Sequence, residues 1–96
     1  MTAATSNASD THDEAALLDD EAARSERTAD GDAADAQAMV ALLAHEAHTL
    51  SKDDVTRALS RIAEVRIEES HARQRARELR READRVRERE RAAGKT

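Results

Sequence analysis

Residues 52–93, KDDVTRALSRIAEVRIEESHARQRARELRREADRVRERERAA, decide the fold. The chain has no proline, and neither of its two glycines falls in this stretch. Placing heptad position a at Val55, Ile62, Glu69, Ala76, Ala83 and Glu90 puts position d at Ala58, Val65, Ala72, Leu79, Val86 and Ala93. Every d residue is apolar, as are four of the six a residues. Alternating three- and four-residue spacing sustained over about five heptads is a coiled-coil-like pattern. It predicts one helix over 52–92, roughly 60 Å long at 1.5 Å per residue. Alanine is the commonest seam residue and two seam residues are glutamate, which favours close antiparallel pairing over a robust parallel zipper.

Upstream, Ser51 and Asp54 have the spacing of a capping box, with Asp in place of the usual Glu. Leu50 and Val55 are spaced for a hydrophobic staple across the same helix start. Before them, Ala36, Met39, Val40, Leu43 and Ala47 recur at i, i+3, i+4, i+7 and i+11, with Asp32 as N-cap. This pattern predicts a second helix over 33–48, broken at His48-Thr49-Leu50-Ser51. The expected domain organisation is a helical hairpin over 32–96, its short helix packing at 36–47 against 55–67, with the distal part of the long helix left for a partner.

Residues 1–31 carry eight acids and two arginines, with Leu17 and Leu18 as their large aliphatics besides Met1. Such low hydrophobicity and high charge read as an acidic disordered tail ending at Gly31. The total charge of −5 therefore hides an asymmetry. The segments 1–31, 32–50 and 51–96 carry −6, −3 and +4.

Composition excludes much chemistry. There is no cysteine and no aromatic residue, so disulfides, thiolate nucleophiles and base-stacking platforms are ruled out. Leu, Ile and Val total 13 of 96 residues, under the roughly 20% at which compact globules become improbable. A water-excluding catalytic pocket cannot be built from so little. The expectation is a non-enzyme with no cofactor and no small-molecule substrate. His45-Glu46-Ala47-His48 misses the H-E-x-x-H zinc spacing because position 49 is Thr, so no metal site is expected. The longest apolar run, Ala38–Ala44, is about a third of a membrane span. With no secretory signal pattern at the N-terminus, a cytoplasmic chain off the membrane is expected.

The function that follows is that of a small helical adaptor or regulatory protein, associating with itself or with a protein partner. Its partner seam would be Val65, Ala72, Ala76, Leu79, Ala83 and Val86. On a helical wheel Arg66, Arg73, Arg77, Arg80, Arg87 and Arg91 fall within an arc of about 80°. This face would set orientation and on-rate, lie solvated among i,i+3 and i,i+4 acids, or meet an acidic surface such as the chain's own tail.

Nucleic acid is the alternative partner. Ala44-His45-Glu46-Ala47 leading into Leu50-Ser51-Lys52-Asp53-Asp54-Val55-Thr56-Arg57-Ala58-Leu59-Ser60-Arg61-Ile62 resembles the turn and recognition helix of helix-turn-helix regulators. The resemblance covers about 20 residues. It implies that Ser51 caps the recognition helix and that Val55, Leu59 and Ile62 pack inward. Lys52, Thr56 and Arg57 would then face the groove, with the distal arginines supplying phosphate contacts.

Overall fold

The computed structural model describes residues 3–94, with side chains from 13 to 94. The described chain is all-α, with no strand among the described residues. Helix α1 spans Ala3–Glu46, a 3-10 turn Ala47–Thr49, and helix α2 Lys52–Gly94.

The start of α2 forms as its sequence dictates. The Asp54 N–H donates to Ser51 Oγ at 3.1 Å, and the Val55 N–H donates to the Ser51 carbonyl at 3.0 Å. Leu50 is extended, at φ −91° and ψ 149°, and both Leu50 and Val55 are half-buried, as a staple requires. The Thr49 hydroxyl donates to the Glu46 carbonyl at 2.8 Å, occupying one of the acceptors left open where α1 ends.

The acidic N-terminal segment corrects an expectation. Rather than a disordered tail through residue 31 and a helix beginning near 33, α1 is helical from Ala3 and passes through Gly31 without a break. The physical reason is a seam of alanines at exact seven-residue intervals. Ala15, Ala22, Ala29 and Ala36 are each at most 2% exposed. Alanine has the highest helix propensity and loses no side-chain entropy on burial, so a repeat of one alanine per heptad suffices where large aliphatics are missing.

The chain divides into two compact units. One is residues 26–73, a helical hairpin closed by the turn. It buries Ala29, Ala36, Ile62 and Val65 and half-buries Met39, Leu43, Val55 and Ala58. The other joins α1 as far as Ser25 with α2 from Gln74 onward. There Ala15, Ala83 and Val86 form a buried cluster against which Leu18 packs, and Ala22 and Ala76 are buried as well. The distal part of α2 therefore has a partner from its own chain.

Candidate docking surface

The heptad positions assigned to α2 coincide with its burial. From Val55 to Glu90 every a and d residue is buried or half-buried, while Ala93 is exposed. Within the expected partner seam, Val65, Ala76, Ala83 and Val86 are buried and Ala72 and Leu79 half-buried. These side chains are taken up by the chain's own fold.

The residues that flank the seam carry the site's charge. Arg66, Arg73, Arg80 and Arg87 recur every seven residues, always four after an a position, so they line one edge of the seam. Three of them reach carboxylates on α1. Arg73 donates to Asp30 at 3.3 Å. Arg80 donates to Asp19 at 3.4 Å, and Arg87 donates to the other carboxylate oxygen of Asp19. Asp19 is thus held between two arginines one heptad apart, its side chain 30% exposed. Asp19 itself lies four residues after the buried Ala15, the equivalent edge of the α1 seam.

Glu69 is the polar member of the seam, 17% exposed at an a position. Arg66 donates to one of its oxygens at 3.1 Å, and Arg73 donates to the other through Nε at 3.2 Å and Nη2 at 3.1 Å. The Arg66 bond, followed by the Arg73 bonds, holds the Glu69 carboxyl below its ordinary range. The bonds to Glu69, followed by the one to Asp30, raise the already strongly basic Arg73 further. Asp19 does the same for Arg87.

The remaining arginines of the face lie in local pairs or near amides. Arg87 also donates to Asp84 at 3.5 Å, Arg91 is paired with Glu88, and Arg77 donates to Gln74 Oε1 at 3.4 Å. Off this face, Arg85 donates to Glu82 at 2.6 Å. Several of the i,i+3 and i,i+4 pairs read from the sequence are therefore present.

The residues singled out by the helix-turn-helix resemblance divide. Val55 and Ile62 pack inward as that motif implies, but Leu59 is 55% exposed, because it sits four residues after Val55, on the arginine edge rather than in the seam. Lys52, Thr56 and Arg57 are exposed. The Thr56 hydroxyl donates to the Lys52 carbonyl at 2.9 Å, and Arg57 donates to Asp54 at 2.6 Å. That bond, more than the one from Ser51, lowers the Asp54 carboxyl below its ordinary value. Arg57 is thus partly neutralised by its own neighbour.

Sequence reasoning missed the α1 half of this surface: Ala15, Leu18, Asp19, Ala22 and Asp30. The signal was present as alanine at 15, 22, 29 and 36 with an acid four residues after two of them, at Asp19 and Glu26. No group of three or more potential metal ligands occurs among the described residues, and no described helix is long and apolar enough to cross a membrane. Beside the turn, Met39, Leu42, Leu43, Glu46, Leu50 and Ala58 line a groove of about 170 Å³. No protein-family model, curated protein or solved structure matches this chain.

Proposed function

We propose that the chain is a non-enzymatic helical adaptor that works by helix–helix association, with the distal half of α2 as the docking element for an acidic amphipathic helix. One observation carries this reading: Arg73, Arg80 and Arg87 bond carboxylates of another helix while the adjoining seam residues Ala76, Ala83 and Val86 are buried. A helix that presents small seam residues at heptad spacing with acids along their edge is the ligand such a surface accepts, and α1 is the resident example. Exposed ion pairs contribute little affinity each. Their value lies in excluding a wrong register and the wrong partner.

The nucleic-acid alternative uses the same arginines together with Lys52, Thr56 and Arg57. The carboxylates beside Arg57, Arg73, Arg80 and Arg87 offset part of the positive potential a phosphate backbone would meet there. A titration separates the two readings. A fluorescent peptide with the sequence of residues 10–30 should bind the full chain saturably, and Arg80→Glu with Arg87→Glu should abolish that binding. If the chain instead ignores the peptide and binds duplex DNA with a steep log–log loss of affinity in salt, the nucleic-acid reading replaces this one.

A further inference from the structure

We infer that the surface on distal α2 is shared between copies: the acidic arm of α1, up to Ser25, exchanges onto the same surface of a second chain. The inference rests on the docking reading above and names its partner. Three observations lead to it.

The first is chemical fit. The arm of a second copy presents Ala15, Leu18 and Asp19, the groups that already meet Ala83, Val86, Arg80 and Arg87 within one chain. An exchanged pair reproduces every bond of the closed form, twice and around a two-fold axis, the usual geometry of swapped dimers. Charge complementarity also sets the direction. Residues 1–25 hold six acids and one arginine, whereas residues 74–96 hold nine arginines and lysines against five acids. Arm on arm is repelled, and arm on α2 is attracted.

The second is the small amount that must be released. The unit containing the arm is packed mainly through alanine, with Leu18, Leu79 and Val86 as its larger seam residues. The hairpin of residues 26–73 has Met39, Leu43, Val55, Ile62 and Val65 in the equivalent role. The arm can therefore part from α2 while the hairpin stays closed.

The third is where α1 can bend. The two units divide at Ser25 and Glu26, and Asp30-Gly31-Asp32 follows closely. Those three residues are among the weaker helix formers, and the helix face at Gly31 is open, with nothing within 4 Å of an added β-carbon.

The experiment uses full-length chains. One variant carries Asp19→Arg, the other Arg80→Asp with Arg87→Asp. Each alone sets like charges against each other in the closed form, whereas the two arms exchanged between the variants restore opposite charges at both sites. Mixed at equal amounts, they should double in mass by light scattering and gain helicity over the separate variants. A mixture whose mass and helicity equal the average of its components overturns the inference, whether or not each variant folds alone.

Because the chain has no native cysteine, Ala15→Cys in one copy and Ala83→Cys in another report exchange without any charge change. Under mild oxidation, the cross-link between the two different variants should exceed those within either kind severalfold. Equal yields overturn the inference. If the 10–30 peptide binds but these chains do not exchange, the docking surface stands and its partner is another protein. If the peptide fails as well, the docking reading falls too.

Discussion

At the scale of single residues, Glu69 shows how an apolar seam tolerates a charge. Its helical neighbours supply guanidinium groups three residues before it and four after, so the carboxylate is fully engaged without a partner from elsewhere. A polar residue at one seam position costs stability and fixes register. Glu69→Leu should therefore raise the melting temperature while relaxing the pairing, which cysteine pairs placed one heptad apart would detect as mixed cross-links. The pH response follows from the direction of the shifts. Glu69 is held below its usual 4.5 and Asp54 below its usual 3.8, so their contribution is complete above those values and is lost as pH falls through the lowered ones. The raised guanidinium groups act in the other direction, losing their contribution only in strong alkali. Melting temperature should thus fall below about pH 4.5, with a smaller acid drop in Glu69→Gln. An undiminished drop in that variant would place the acid sensitivity elsewhere.

At the scale of elements, α1 and α2 solve the same problem with different residues, and this explains which of them the sequence discloses. In α2 the seam includes Val55, Ile62, Val65, Leu79 and Val86, large enough for the four-three spacing to stand out from a charged background. The cap at Ser51 adds a sharp start. In α1 the N-terminal seam is carried by one alanine per heptad, while the alternate positions hold Leu18, Ser25 and Asp32. Hydrophobicity there does not rise above the average, and only the partner helix reveals that those alanines are buried. The arginine face was legible as a stripe on α2. Its pairing with Asp19 and Asp30 was not, because those contacts span 43 to 68 positions of sequence.

Two substitutions test this picture of the alanine seam and of α1. Gly31 lies in the helix with open space where a β-carbon would go, so Gly31→Ala should stabilise by roughly 1 kcal/mol through helix propensity, seen as a higher urea midpoint at unchanged m-value. Ala83 is fully buried against Ala15 and Val86. Ala83→Leu should cost about 1–3 kcal/mol by overpacking a contact built for small side chains. If it were neutral, the close approach of the two helices at that level would be wrong.

At the scale of the whole molecule, the distribution of large side chains sets where the chain opens first. Each buried methylene contributes about 0.8 kcal/mol, and the hairpin of residues 26–73 holds most of the larger seam residues, whereas the other unit relies on alanine with ion pairs at its edge. Exposed pairs contribute only about 0–1 kcal/mol and weaken in salt. Local opening should therefore begin in the unit that contains the arm. Native-state hydrogen exchange should find the amides of residues 15–22 and 76–86 less protected than those of 36–43 and 58–65. Raising the salt should widen that difference, since it weakens Asp19 with Arg80 and Arg87 while leaving Ile62 and Val65 untouched. Uniform protection through both units, insensitive to salt, would mean that alanine packing alone holds the arm as firmly as the heavier seam holds the hairpin, and the docking surface on distal α2 would then have no low-cost route to exposure.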